Sequence, residues 1–460
     1  MLPDWTTIGF SGHREIKDVA TVIKGINQAL DRIKLLRNPL VGVSSAASGS
    51  DTLFLEAMDK RNIPFFLILP FHRSQFKEDF TPADWQRVEP FLAKALNIEE
   101  LGDSENTEEA YMETGIRVVD QAEIIIAVWN GMSARGKGGT AEVIEYARKL
   151  GKPIIIIDPS SGELKEERLK QLAISNTATR WDGKSRQMVE KQFEKLDQEA
   201  IKHQPRASQY FLYIIILHLI AATVAVLAFT VSGYLKTGFV ITEIICLVFA
   251  LVMVSRHKQQ HHHWVFSRIG AELCRSFLAI WNLRGHGKPL SPIGGPALSK
   301  LYNSLCMAWY MDGSNDQELI EARDNYLKSR IMEQINYFKK NLEKTKPRLK
   351  LLKTLATSAT FGSIISAVLV LVLHLEVMKI FAIILPLIST AMLSRIVVQD
   401  YFRRSVRYAE MLSILEDAAR QLNRTRTWHS LMRIALETEE ELLHEIVEWH
   451  SISRFASDVH

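Results

Sequence analysis

The sequence predicts an α/β, Rossmann-like domain followed by an all-α membrane domain with four transmembrane helices in two hairpins. Two observations carry that prediction. Residues 1–160 alternate short, β-rich apolar runs with amphipathic stretches, the pattern of a mainly parallel sheet covered by helices. The second half of the chain holds four apolar runs that approach or exceed membrane length.

In the first part, strands are expected at Thr6–Phe10, Leu40–Val43, Pro64–Leu69, Ile124–Trp129 and Pro153–Asp158, with a weaker one near Asn97–Leu101. Between them, Ile16–Leu36, Asp51–Lys60 and Thr140–Leu150 carry helical spacing. Strand-to-helix turns then fall at residues 11–15, 44–50 and 130–139. In an open α/β sheet such turns gather outside the carboxyl ends of the strands, where ligands bind, so the three are expected to face one cleft.

From about Asp182 to Arg206 the chain is charged and helical in pattern, a stiff connector. The four apolar runs follow at Phe211–Ser232, Phe239–Val254, Leu351–Leu373 and Met378–Leu393. A hydrocarbon core takes about 20 residues of helix, and two of the runs are shorter than that. Pairing argues for membrane hairpins: each long run joins a short one through a tight turn, Gly233–Gly238 and His374–Val377.

Charge sets the expected orientation. Lys202 and Arg206 precede the first hairpin, and Arg256 and Lys258 follow it. Lys344, Lys346, Arg348 and Lys350 precede the second, with Arg395, Arg403 and Arg404 after it. The turns carry only Lys236 and Lys379, so both turns are expected outside and the N-terminus, the 255–345 loop and the 396–460 tail in the cytosol. The expected location is therefore the inner (cytoplasmic) membrane, crossed several times.

The hairpins also read as copies. Lys202-x-x-Pro205-Arg206 recurs as Lys344-x-x-Pro347-Arg348, and Trp264 with Ala271-Glu272 recurs as Phe402 with Ala409-Glu410. The expected division is 1–165 for the ligand-binding domain and 166–206 for the connector. The first hairpin with its cytosolic helix takes 207–300, a helical linker 301–345, and the second hairpin with its C-terminal helices 346–460.

With 460 residues, 47% hydrophobic and 23% charged, the chain is too apolar for a disordered tail. Its net charge of +4 flanks the apolar runs instead of forming a nucleic-acid stripe, so no nucleic-acid partner is expected. Three cysteines, Cys246, Cys274 and Cys306, draw neither a disulfide framework nor a zinc spacing. The His257/His261 pair can share a helix face but lacks further ligands, so no metal is expected.

The chemistry concentrates in the three turns. The first, Gly9-Phe-Ser-Gly-His-Arg14, offers Ser11 and Gly12 for backbone approach and Arg14 for a bidentate phosphate contact. The second, Ser44–Asp51, is almost wholly small; Gly49 allows close approach and Asp51 is either a helix cap or a ribose-hydroxyl contact. The third, Arg135-Gly-Lys-Gly-Gly-Thr-Ala-Glu142, follows a buried strand and opens a helix. There Gly138, Gly139 and Thr140 present donors to an anion while Arg135 adds charge. Neither GxxxxGK[ST] nor a strict GxGxxG with its downstream acid occurs.

Gly9–Arg14, Ser45–Asp51, the Asp120–Gly131 strand end and Gly138-Gly-Thr-x-Glu142 together resemble the SLOG superfamily, the Rossmann-like group that includes the DprA and LOG proteins. The resemblance covers about residues 5–160 and implies a site for a nucleotide-derived ligand at Ser11, Gly12, Arg14, Gly49, Asp51, Gly138, Gly139, Thr140 and Glu142. Enzymatic LOG members carry PGGxGTxxE; this chain lacks the proline and places its acid one position early, which turns a helical side chain by about 100°. That departure favours binding over nucleotide cleavage. Residues 200–300 and 342–455 each resemble the SLATT family, two-helix membrane effectors of bacterial conflict systems.

Inside the membrane runs, Glu243 is the candidate pore residue, or else lies at the outer interface near its turn. His218 is expected to pack or to bond between helices. Trp281, Trp309, Trp428 and Trp449 are expected to pack the cytosolic helices. The resemblances imply a homo-oligomeric effector that senses a nucleotide-type signal and permeabilises the bilayer, an abortive-infection role against phage, with a signal-producing enzyme as a further partner. No cofactor beyond that ligand is expected. The alternatives are a membrane-tethered nucleotide or NAD hydrolase, with Glu142 or Asp51 as the general acid–base group, and a non-conducting membrane scaffold.

Overall fold

A computed structural model describes residues 2–102, 107–132, 139–172, 175–176, 184–229, 231–283, 290, 296–312, 317–375, 377–398 and 401–458. The strands are β1 (Thr6–Gly12), β2 (Arg37–Asn38), β3 (Leu40–Ser44), β4 (Phe65–Leu69), β5 (Ile98–Glu100), β6 (Ile124–Val128), β7 (Ile154–Ile157), β8 (Leu164–Glu167) and β9 (Ser175–Asn176). The helices of the first part are α1 (Val19–Leu36), α2 (Ser50–Lys60), α3 (Arg73–Phe76), α4 (Pro82–Lys94), α5 (Thr107–Gln121) and α6 (Thr140–Lys149). Those that follow are α7 (Ser185–Ala228), α8 (Tyr234–Ala279), α9 (Pro296–Met311), α10 (Leu319–Tyr326), α11 (Met332–Leu373), α12 (Met378–Val398), α13 (Tyr401–Arg424) and α14 (Trp428–Asp458).

The chain divides into two compact units, residues 1–185 with 303–312, and residues 186–302 with 313–460. In the first unit a seven-stranded sheet runs in the order β5-β4-β3-β1-β6-β7-β8. All neighbours pair in parallel except β7 and β8. The central strands are continuous apolar runs, Ile-Ile-Ile-Ala-Val in β6 and Ile-Ile-Ile-Ile in β7, because both sheet faces are covered. On one face α1 buries Val22, Ile26, Ala29, Leu30 and Ile33, a stripe at helical spacing, and Asp18 caps its first turn by accepting from the Thr21 amide at 3.1 Å. β8, the one antiparallel strand of this sheet, is an edge absent from the sequence reading. Its Leu-Lys-Glu-Glu lacks a buried face, and the bidentate pair from Arg148 of α6 to Glu167, at 2.9 and 2.7 Å, helps to hold it.

Chain order reverses between β1 and β6, so a crevice opens at their carboxyl ends, as expected of an open α/β sheet. The second half of α9 belongs to this unit, where Met307 packs with Trp5 and Val41. Tyr310 stands edge-on to Phe66 at 5.2 Å, and Ser304 donates to the Pro3 carbonyl at 2.7 Å. Trp309, expected among the cytosolic helices, is thus buried in the α/β unit.

The second unit is all-helical. Four of its helices are long and apolar enough to cross a membrane, and the protein is membrane-embedded. The charged connector and the first apolar run form one helix, α7. The expected turn Gly233–Gly238 is shorter than the sequence reading has it: Gly233, at φ +67°, ends the turn and Tyr234–Gly238 already belong to α8. At the second turn His374 adopts φ 50° and closes α11.

Small and hydroxyl residues bring α11 and α12 together. Thr360 and Ser389 share a hydrogen bond at 2.9 Å, Ser363 donates to the Ala382 carbonyl at 3.0 Å, and a Cβ on Gly362 would meet Leu385 at 3.1 Å. Such seams suit hydrocarbon, where close backbone approach replaces the hydrophobic effect. Ile364, Ile365, Val368 and Leu371 point outward.

Candidate functional site

Three loops converge at the β1/β6 crevice, and hydrogen bonds fix their mutual position. The carbonyl of His13 accepts from the Ser50 amide at 3.1 Å and from its hydroxyl at 2.7 Å. The Asn130 amide donates to the His13 ring at 3.2 Å. A Cβ on Gly12 would run into Ser50, and one on Gly49, at φ +86°, would fall on the Arg14 carbonyl. These glycines let the first loop lie across the start of α2. Gly9 serves packing instead, since a Cβ there would meet Ala122 and Ile125.

Arg14 is exposed, and its guanidinium lies 4.3 Å over the ring of Tyr111, which donates its hydroxyl to Asp79. Burial and the Asp79 hydrogen bond push the tyrosine hydroxyl well above its ordinary range, so it stays a donor. Arg14 thereby rests on an aromatic platform. Ser11 is half-buried at the end of β1.

Asp51 does not cap α2; the cap residue is Gly49, without a side-chain bond. Its carboxyl is 2% exposed and turned inward, with Oδ1 accepting from Ser44 at 2.9 Å and Ser45 at 2.8 Å. Burial pushes its pKa up to about 6, against the pull of both hydroxyls and of Arg14. In this conformation Asp51 braces the Ser44–Ser50 loop. At the third loop Gly139 is the cap residue of α6 and offers no side chain, with Thr140 buried and Glu142 half-buried in the first turn. Arg135 and Gly138 lie outside the described residues.

Sequence reading missed His13, Tyr111, Asp79 and Asn130 as parts of this arrangement. His13 and Asn130 lay inside motifs already singled out. Tyr111 and Asp79 come from elements with no motif and were brought in by topology.

The second unit holds a buried charge centre. Arg330 reaches Glu439 twice, at 2.9 and 2.6 Å, and Glu272 at 3.3 Å, with all three side chains at most 4% exposed. It sits on a π-helical turn, Leu327–Ile331, between α10 and α11. Burial opposes the charge on Glu272, but Arg330, Arg275 and Arg268 outweigh it and hold the carboxyl below its usual range. Burial likewise opposes Arg330, and Glu439 above all keeps it protonated. Glu410, the expected counterpart of Glu272, is exposed.

Glu243 is half-buried in the third turn of α8, on one stripe with Cys246 and Ala250. The earlier helix start sets it deeper from the turn than the sequence reading allowed. Among the described residues His218 bonds the Ile214 carbonyl of its own helix at 2.8 Å. Trp281 is buried and Trp428 half-buried; the Trp449 side chain lies outside the described residues. The rings of His257 and His261 lie 5.7 Å apart, and among the described residues no three metal-ligating side chains converge.

Comparison with known proteins gives one family match: residues 326–449 fit the family described as SMODS and SLOG-associating 2TM effector domain 1. They run from the end of α10 into α14 and include the second hairpin. No curated protein matches the chain. Among solved structures, DNA processing protein A (DprA) from Streptococcus pneumoniae is similar at 17% identity and a TM-score of 0.25, over 34% of this chain and 50% of that one. The chain thus spans about half the length of that protein.

Proposed function

We propose that the chain is a ligand-gated membrane effector of antiphage defence. A nucleotide-derived signal enters the SLOG-like crevice of the first unit and shifts an assembly of the membrane hairpins towards a leaky state. The observation that carries this reading is Arg14, held over Tyr111 on the loop whose His13 bonds Ser50 and Asn130, in a chain whose residues 326–449 match a two-helix effector domain. A phosphate there gains a guanidinium fork. Asp51, turned inward on two serines, supports binding over hydrolysis.

Nearly complete switching requires the signal to favour the leaky state by about 5.5 kcal/mol, which several crevices in a homo-oligomer supply together. Both hairpin turns then face outside and the crevice faces the cytosol at the inner membrane. The test is dye release from liposomes carrying the purified chain, with a panel of NAD, ADP-ribose and cyclic oligonucleotides. Release by at least one of them, lost in Arg14→Ala, is expected. Turnover of that ligand, abolished in Glu142→Gln, would establish the hydrolase instead. Binding without release would leave a scaffold.

A further inference from the structure

We infer that the stem of α11, where the helix enters its membrane run, is a docking surface for a bilayer of anionic phospholipid, engaged through the headgroup phosphates. It lies in the second unit and does not depend on what the crevice of the first unit binds.

Four cations, Lys344, Lys346, Arg348 and Lys350, fall within seven residues of this stem. Packing turns them outward. Thr345, Leu349, Leu352 and Ala356, at i, i+4, i+7 and i+11, form the buried or half-buried side of the helix. The four cations are exposed, with one pair on each flank of that stripe, Lys344 with Arg348 and Lys346 with Lys350. Directly beyond them Leu351 and Leu355 are 59% and 47% exposed, so a charged band passes straight into an aliphatic one. Seven residues of helix rise about 10 Å, enough to cross a headgroup layer and reach the first water beyond it.

Among the described residues nothing neutralises this band. None of the four side chains makes an ion pair or hydrogen bond there, Glu343 beside them included. No Asp or Glu occurs between Glu343 and Glu376. Each flanking pair is an i, i+4 pair of like charge, an arrangement that opposes the helix unless an outside anion reverses it. The stem of α7 differs: Lys191 and Lys195 have the same spacing but alternate with Glu190, Glu194 and Asp197. A positive-inside bias would be met by scattered cations; an exposed, acid-free band against the apolar run adds attraction for anionic lipid with each charge.

A nucleic acid also answers to positive charge, but residues 344–356 hold no aromatic side chain on which a base could stack, and the band abuts the membrane run. The hydrogen bonds of Thr360 to Ser389 and of Ser363 to Ala382 join α11 to α12, so lipid held at this stem holds the second hairpin as a whole.

The experiment places the full chain in phosphatidylcholine bilayers that carry a trace of spin-labelled phosphatidylglycerol or spin-labelled phosphatidylcholine. Electron spin resonance reads the fraction of each probe immobilised by the protein. Phosphatidylglycerol is expected to associate at least threefold more strongly than phosphatidylcholine, and molar salt should at least halve that preference. Lys346→Gln/Lys350→Gln should also halve it, whereas Lys191→Gln/Lys195→Gln, matched in charge and spacing, should leave it unchanged. All four lysines are exposed and glutamine suits a helix, so both variants should fold, and circular dichroism checks this. The inference is overturned if the two probes associate equally, if the folded Lys346→Gln/Lys350→Gln variant keeps the parent's preference, or if the α7 pair lowers it as much. Saturable binding of a labelled single-stranded oligonucleotide that is lost in Lys346→Gln/Lys350→Gln would assign the band to nucleic acid and overturn it as well.

Discussion

Arg330 offers the sharpest test of how the second unit is held together. Replacing it with Met keeps most of the side-chain volume but removes two contacts to Glu439, at 2.9 and 2.6 Å, and one each to Glu272 and the Ser276 hydroxyl at 3.3 Å. Glu272 retains Arg275 at 2.7 Å, whereas Glu439, fully buried, keeps among the described residues only the Tyr326 hydroxyl at 3.0 Å. The cost is therefore that of an uncompensated buried carboxylate, about 3–5 kcal/mol. At roughly 2–4 °C per kcal/mol for a unit of this size, the melting temperature should fall by about 6–20 °C. Intrinsic tryptophan fluorescence reads the transition in detergent, since Trp281 is buried in this unit. Adding Glu439→Gln removes the stranded charge and keeps an acceptor for Tyr326, so the double variant should regain at least half of the loss. Arg330→Lys, which keeps charge but not the fork, should fall between. A shift below about 2 °C for Arg330→Met, or a double variant no more stable than the single, would refute the reasoning.

Three further outcomes are expected. Asp51 carries a folded pKa of about 6 against the usual 3.8, so the stability it contributes is complete below 3.8 and lost as pH rises through about 6. The gap of about two units is worth about 3 kcal/mol; Asp51→Asn should thus gain on the parent between pH 4.5 and 7.5 in thermal unfolding, and a pH-independent difference would reject this origin. Gly49→Ala, strained at φ +86° and colliding with the Arg14 carbonyl, should destabilise the first unit by about 2 kcal/mol and weaken ligand binding; unchanged melting would contradict the geometry. Glu243→Gln should lower the cation preference of liposome leakage in ion-replacement measurements, and an unaltered preference removes Glu243 from the conducting path.

Much of the fold was legible because its signals are local. A buried parallel strand needs an unbroken apolar run, so β1, β3, β4, β6 and β7 appear within a residue or two of their expected bounds. β8 escaped because an exposed edge needs no such run. The Gly233–Gly238 turn was overdrawn: one glycine at positive φ suffices to reverse the chain, and Tyr-Leu-Lys-Thr is compatible with a helix. The three turns of the candidate site were visible as small-residue motifs, yet their roles were not. Gly49 clears a carbonyl, Asp51 faces inward, and Tyr111 arrives from a helix whose sequence announces nothing.

By itself the sequence determined the α/β unit, the four membrane-length helices and the loops that face the crevice, since periodicity, apolar length and glycine placement act over a few residues. Only the tertiary structure decided which charges are buried together. Glu272, Arg330 and Glu439 are far apart in the chain, and nothing in their neighbours marks them. Their partnership exists because helix packing removes water from all three at once, and a buried charge is tolerated only where its counter-charge is carried to the same place.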